Sequence, residues 1–373
     1  VEAHLYEQIY HYIIQEIKDG RLNEGDRVSS EKDLAEQFGV SRITSKKALE
    51  KLADTGIIKR IQGKGSFVTD QLTGRQEPKH YAAEIKVAHA SEEERRLIGF
   101  IIPNFSDEFG LKLLRAIERQ TAAYQYELIV KRTSGDREEE KRAIQLFVSL
   151  GVKGLLMTPI HGEHYNPDLL RLVLDQFPIV LVDRYLKGIP VCSIYTDNQK
   201  AATDLTLHLI NQGHKKIAFL SPPEENTTTL EERLLGYTLA FTQEGMDLNE
   251  DYILKNFKST LPAADHTARE HDEENLKRFL AQHPYVKAFV VSEFLVATLL
   301  AQVIYALGYP LDEYEIVCFD AMDDHLGRTI FTHIQQDEQQ MGEVAVDMLI
   351  SQIDGTDVPE QRIVAHRMIK RTH

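Results

Sequence analysis

Apolar residues recur at every fourth position through LYEQIYHYIIQEIKDG, at Leu5, Ile9, Ile13 and Ile17, and Gly20 closes the run. That spacing predicts an amphipathic helix. Its tyrosines, Tyr6, Tyr10 and Tyr12, are expected to fill the core rather than to stack on a ligand. Further on, Ser30 stands ahead of Leu34, Ala35 and Phe38 with Gly39 as the stop, and Ser41 stands ahead of Ala48, Leu49 and Leu52 with Gly56 as the stop. A short hydroxyl side chain accepts from the free amides at a helix start, and glycine takes the left-handed conformation that ends one. Two short helices with so tight a turn between them predict a helix-turn-helix. Ile57, Ile58 and Ile61, then Gly63-Lys64-Gly65, then Phe67 and Val68 predict two strands joined by a glycine turn, which would form a wing beside it.

From Thr69 to Arg96 no period is sustained, and Gly74, Pro78 and the run Glu92 to Arg96 mark a linker, taken as residues 71–96 between a first domain at 1–70 and a body at 97–373. The body changes pattern. LIGFIIP, YELIVKR, VKGLLMTP and PIVLVD are short, nearly continuous apolar runs that alternate with helical stretches, and VCSIY, KIAFLS, YILKNF, KAFVVS and EIVCFD continue the alternation. Strands of this kind are buried on both faces, so the expected fold class is α/β: a winged helix-turn-helix followed by two doubly wound parallel-sheet subdomains.

Charge is unevenly spread. Between Arg27 and Val68 stand nine basic residues against five acidic ones, in a chain whose net charge is −15. Local positive charge suits a phosphate backbone, and an acidic remainder keeps clear of it. Cys192 and Cys318 sit in apolar strand-like runs and read as buried free thiols of a reducing cytoplasm. No apolar run is long enough to span a bilayer, so a soluble cytoplasmic protein without a membrane partner is expected. No nucleophile elbow, metal set or dinucleotide-binding glycine fingerprint appears, so neither catalysis nor a cofactor is expected. His161-Gly-Glu-His164 lacks the spacing that places two histidines one helical turn apart, and reads as a loop.

In parallel sheets ligands bind beyond the carboxyl ends of the strands. The residues there are Pro103 to Phe109, Asp183-Arg184-Tyr185, Tyr195 to Asn198, Ser292-Glu293-Phe294 and Asp320. Aromatics, one arginine and several carboxylates suit a neutral polyhydroxylated ligand, since charged groups bond hydroxyls and a ring covers the apolar face of a sugar. The plainer alternatives are a structural ion pair with Asp183 for Arg184, and the cap of the next helix for Asp197-Asn198.

The run GDRVSSEKDLAEQFGVSRITSKKALEKLADTGIIKRIQGKGSFV resembles the winged-helix domain of the GntR family. The resemblance implies DNA-facing positions at Lys32, Arg42, Thr44, Lys46 and Gly63, with Arg42 the candidate for reading guanine and the lysines for holding phosphates. Ser45 departs from the family's usual apolar residue, which predicts slightly weaker packing. The body resembles the LacI/GalR-type effector domain in IGFIIPN, GVKGLLMTP, PIVLVDR, GHKKIAFLS, ERLLGYTLAF, LGYPLDEYEIVCFD and THIQQDEQQMGEVAVDMLI. This implies polar effector contacts at Arg184, Glu293 and Asp320, with Phe109, Asn198 and Gln336 lining the same cleft. Such a head on such a body resembles the arabinose-responsive repressors of Gram-positive bacteria. The resemblance implies a homodimer that binds a palindromic double-stranded operator and answers a sugar, arabinose first. A purine, an amino acid or a phosphosugar remains the alternative effector, and corepression the alternative to induction.

Overall fold

Ser30 accepts the Asp33 amide at 3.3 Å while Asp33 accepts the Ser30 amide at 3.1 Å, a reciprocal cap that starts the second helix; Gly39, with φ 62°, ends it. The computed structural model describes residues 2–23, 25–61, 64–69, 96–160, 166–223, 227–260, 266–322 and 328–371. The chain divides into two units, Val1–His89 and Ala90–His373. The expected linker, Arg96 apart, lies outside the described residues, as do Gly63 and the His161–His164 loop.

The first unit runs α1 (Glu2–Lys18), β1 (Arg27–Val28), α2 (Glu31–Phe38), α3 (Arg42–Asp54), β2 (Ile58–Ile61) and β3 (Gly65–Val68). The strands form an antiparallel sheet in the order β1-β3-β2. Ile9 and Ile13 of α1, Leu34 of α2, Leu49 and Leu52 of α3, and Ile58 and Val68 of the hairpin share one core, against which Tyr6, Tyr10 and Tyr12 pack. The two strands of the hairpin stand where the pattern predicts them. Ser45, however, is no packing defect. It is fully buried, and its hydroxyl lies 2.7 Å from the Glu31 carbonyl oxygen, so it ties α3 to the head of α2.

The second unit contains two lobes. One sheet, all parallel, has the order β14-β8-β7-β6-β4-β5, built from β4 (Leu97–Ile102), β5 (Glu127–Arg132), β6 (Gly154–Met157), β7 (Ile179–Val182), β8 (Cys192–Thr196) and β14 (Gln361–Val364). The other has the order β10-β9-β11-β12-β13-β15, built from β9 (Ile217–Leu220), β10 (Ile253–Leu254), β11 (Ala288–Val291), β12 (Glu315–Phe319), β13 (Thr332–Gln336) and β15 (His366–Ile369). In this second sheet only β15 runs antiparallel. The helices are α4 (Leu111–Ala123), α5 (Arg137–Ser149), α6 (Pro167–Leu174), α7 (Asn198–Asn211), α8 (Thr228–Gln243), α9 (His266–Gln282), α10 (Phe294–Ala306) and α11 (Glu338–Ile353).

Three findings depart from the pattern. The lobes are not consecutive blocks, because the chain crosses between them three times: from β8 to α7, from β13 to α11, and between Val364 and His366. Thus Ala201, Leu205 and Leu209 of α7 pack among Phe219, Tyr237 and Val317 of the second lobe. Met341, Val346 and Leu349 of α11 return to Phe100, Leu156 and Val180 of the first. The run YILKNF shrinks to the two residues of β10, after which the chain turns and the Lys258 and Ser259 amides donate to the buried Asp272 carboxylate at 2.8 and 2.7 Å. Third, Cys192 is only partly buried, while Cys318 is buried; both are free thiols, on different sheets. Among the described residues no helix is long and apolar enough to cross a membrane.

Candidate functional sites

In the first unit the Ser41 hydroxyl accepts the Thr44 amide at 3.2 Å and so fixes the start of α3. Arg42 and Lys46, one turn apart, are both exposed on it, and Lys32 is exposed on α2. Thr44 is half-buried, and its hydroxyl lies 2.8 Å from that of Ser41, so it belongs to the cap as much as to the surface. Between these helices and the hairpin runs a groove lined by Arg27, Ser30, Lys32, Arg42, Arg60 and Lys64. Arg60 pairs with Glu31 and lies 3.6 Å from Glu50, which itself stands 3.7 Å from Lys46; Lys32 stands 3.9 Å from Glu36. Exposed pairs of this kind are worth little, so phosphates can replace the carboxylates as partners.

The sequence reading did not single out Arg27, Arg60 or Ile43. Ile43 is 79% exposed near the start of α3, an unusual place for a large apolar side chain unless another surface meets it. The signal for it was its position directly after Arg42 on the helix that would enter a groove.

In the second unit a cavity lies between the lobes and encloses about 890 Å³, its mouth included. Phe109, Arg184, Glu293, Asp320 and Gln336 all line it, as do Phe105, Thr158, Asp183, Arg233, Ser292 and Phe319. Asn198 does not. It is fully buried behind the wall, donates from Nδ2 to the Thr196 carbonyl at 2.9 Å, and accepts at Oδ1 from Arg233 Nε at 2.8 Å. Asp197, not Asn198, caps α7, through the Lys200 amide at 2.8 Å.

At the cleft, sequence reasoning missed Arg233. It sits within α8, where a charged residue reads as part of a solvated face, yet it is only 6% exposed. Besides Asn198 it donates from Nη1 to the Ser292 carbonyl at 2.6 Å, and its guanidinium carbon stands 3.8 Å from the centre of the Phe319 ring. Burial lowers its pKa, while Asp320, Asp183 and Glu293 oppose that effect. Arg184 both reaches the cavity and pairs with Asp183 at 3.3 Å, so the two readings of it are not exclusive; it also donates to the Pro159 carbonyl at 2.9 Å.

Asp183 directly follows β7 and Asp320 directly follows β12, each at the matching place in its lobe, with φ of 72° and 55°. Each donates its amide to the neighbouring strand, Asp183 to the Ile194 carbonyl and Asp320 to that of Ile334. Left-handed backbone is sparsely populated outside glycine and clusters at functional sites. Asp320 accepts from Gln336 Nε2 at 2.9 Å. Burial pushes its pKa up to about 7 against the pull of Arg233, and pushes Glu293 up to about 7 against Arg233 and Arg184. Thr158 Oγ1, Ser292 Oγ and Gln336 Oε1 are buried without a hydrogen-bond partner among the described residues.

Glu338, the first residue of α11, accepts the Gly110 amide at 2.6 Å and the Leu113 amide at 3.3 Å. The head of α4, beside Phe109, is thereby satisfied by a carboxylate of the protein itself. Among the described residues no cluster of side chains suits a metal ion.

Comparison with known proteins places both units. Residues 95–372 match the family of periplasmic binding proteins and the sugar-binding domain of the LacI family. Residues 5–68 match the bacterial regulatory proteins of the gntR family. The chain is 27% identical over 371 residues to the arabinose metabolism transcriptional repressor of Geobacillus stearothermophilus, covering 97% of this chain and 94% of that protein. To the ribose operon repressor of Escherichia coli K12 it is 25% identical over 346 residues, covering 89% and 95%. Its fold is similar to that of the transcriptional regulator CelR in complex with cellobiose, with a TM-score of 0.62 at 18% identity over 92% of this chain and 99% of that one. It is also similar to the transcription regulator CcpA of Lactococcus lactis, with a TM-score of 0.63 at 21% identity over 74% and 98%.

Proposed function

Because the chain belongs to the family of periplasmic binding proteins and LacI-type sugar-binding domains, and carries a GntR-type winged helix in front, we propose that it is a transcriptional repressor released from DNA by a neutral sugar. The first unit binds the operator, with Arg42 reading a guanine, Lys32, Lys46, Arg27, Arg60 and Lys64 against phosphates, and the Gly63 turn as the wing tip. One winged helix makes few contacts, so two chains act together on half-sites about one helical turn apart. Residues 71–96 connect head to body, and the protein works in the cytoplasm as a regulator without catalysis.

The observation that carries the sugar reading is the charge balance of the cleft. Asp183, Glu293 and Asp320 face Arg184 and Arg233, and both arginines are already tied to protein acceptors. A phosphate would meet more carboxylates than free cations there, and the amides at the head of α4 are held by Glu338. Hydroxyls, in contrast, can donate to the carboxylates, with Phe109 and Phe105 covering an apolar face. Two pentose-named repressors among the relatives favour a pentose, arabinose first.

The test is a melting-temperature panel with L-arabinose, D-ribose and D-xylose against fructose 1-phosphate, guanine and free amino acids. A ligand at 100 times its dissociation constant adds about 2.7 kcal/mol of stability. A rise with a pentose supports the reading. A rise with the phosphate or the base and none with any neutral sugar contradicts it.

A further inference from the structure

Arg184 and Tyr185 are adjacent on the first lobe, and Glu232 and Arg233 are adjacent on the second. The inner member of each pair, Arg184 and Arg233, lines the cavity; the outer members, Tyr185 and Glu232, do not. Instead they meet each other. Tyr185 donates from its hydroxyl to Glu232 Oε1 at 2.8 Å, and its carbonyl accepts from Thr228 Oγ1 at 3.2 Å. Two residues further, Lys187 pairs with Glu231. We propose that Tyr185 with Glu232, and Lys187 with Glu231, form a clasp between the lobes that sets effector affinity without touching the effector; this rests on the reading of the cleft as the effector site.

The clasp is anchored on both sides. The Tyr185 ring packs at 4.9 Å against that of Tyr195 on β8, whose hydroxyl donates to Gln361 Oε1 on β14 at 2.8 Å. Across the cleft, Thr228, Glu231 and Glu232 all belong to the first two turns of α8, the helix that also carries Arg233. Within one lobe such bonds would stabilise the fold alone. Because these four span the cleft, they exist only while the lobes are together, and they bias the equilibrium between open and closed forms. The apparent affinity for a ligand held by the closed form scales with the population of that form. Selectivity among sugars is fixed by the wall, which the clasp does not touch. Tyr185, Glu232, Lys187 and Glu231 are therefore positioning residues.

The experiment uses the full chain with Tyr185→Phe, and separately Lys187→Glu, Glu231→Lys and the two charge changes together. Spin labels at Glu138 of α5 and Glu274 of α9, both exposed, report the distance between lobes without any ligand, in a background with Cys192→Ser and Cys318→Ser. Calorimetry with L-arabinose and D-ribose reports affinity. The clasp predicts a wider label distance and a dissociation constant raised about tenfold for both sugars in Tyr185→Phe, their ratio unchanged, as expected for one lost hydrogen bond to a charged group. It predicts the same for each single charge change and recovery in the double. An unchanged label distance in Tyr185→Phe overturns the clasp, as does a wider distance with unchanged affinity, or a shift in the ratio of the two sugars. If neither sugar binds the unaltered chain, the effector reading beneath fails, and the ligand-free distance still decides whether the lobes are clasped.

Discussion

Asn198 accepts a 2.8 Å hydrogen bond from Arg233 across the α7–α8 contact, just behind the cavity wall. The pair joins the residue that follows the first crossing between lobes to the buried cation that faces the ligand space. A guanidinium with so little access to water needs each acceptor it has, so the position of Arg233 depends on a side chain no ligand reaches.

Asn198→Ala removes that acceptor while leaving the wall intact. The expected outcome is a loss of about 1–3 kcal/mol in stability together with weaker sugar binding, read by thermal melting and calorimetry. Normal affinity in a folded variant would show that Arg233 is held well enough by Ser292 and Phe319.

Arg42 and Arg60 stand in one groove but are assigned different work. Arg42→Ala is expected to cost about 1–3 kcal/mol of discrimination at one base pair and to flatten the preference there. Arg60→Ala is expected to weaken binding to every duplex alike and to lower the slope of affinity against salt by about one. Binding isotherms at several salt concentrations on matched and mismatched operators separate the two, and exchange of the two behaviours would reverse the assignment.

Ile43, exposed beside Arg42, is placed to meet the methyl group of a thymine. Ile43→Ala should reduce the preference for thymine over uracil at one operator position, with little effect on stability because the side chain is already in water. Competition between duplexes with thymine and uracil at each position in turn finds it, and equal discrimination by both proteins would refute it.

Asp320 and Glu293 are both held near pKa 7 by burial, well above the range of an unfolded carboxylate near 4. A group raised in this way stabilises the fold fully below its unfolded value, and that contribution is lost as the pH climbs through the folded value. Burial moves Glu338, Glu232 and Glu140 in the same direction. The ligand-free chain should therefore melt at a higher temperature at pH 5.5 than at pH 8, and Asp320→Asn should flatten the dependence. A melting temperature that rises across this interval would count against it.

Much of this was legible in the residues themselves. Ser30 and Ser41 announce their helices because a hydroxyl before an apolar face has few other uses, and both cap as expected. Alternating runs announce the two parallel sheets, and the strand-end rule leads to Arg184, Glu293 and Asp320 on the cavity wall. Period alone does not say which sheet a helix covers, so the crossings at α7 and α11 appear only in three dimensions. The strands β14 and β15 escaped because QRIVAHRMIK interleaves charges with apolar residues, as edge strands do; Ile363 is 60% exposed. Arg233 escaped for the opposite reason, since a cation in a helix is ordinarily solvated and only its burial gives it away. Asn198 belongs to the wall only by the family resemblance, and its side chain turns inward to Arg233 instead.

The central claim is that filling the cleft changes the grip of the head on DNA. The measurement is the affinity of the full chain for its operator duplex, at fixed salt, with and without a saturating pentose that calorimetry has shown to bind. The account predicts that the sugar weakens operator binding by about 5- to 150-fold, the span of a coupling of about 1–3 kcal/mol. A sugar that occupies the cleft and leaves operator affinity unchanged would contradict it.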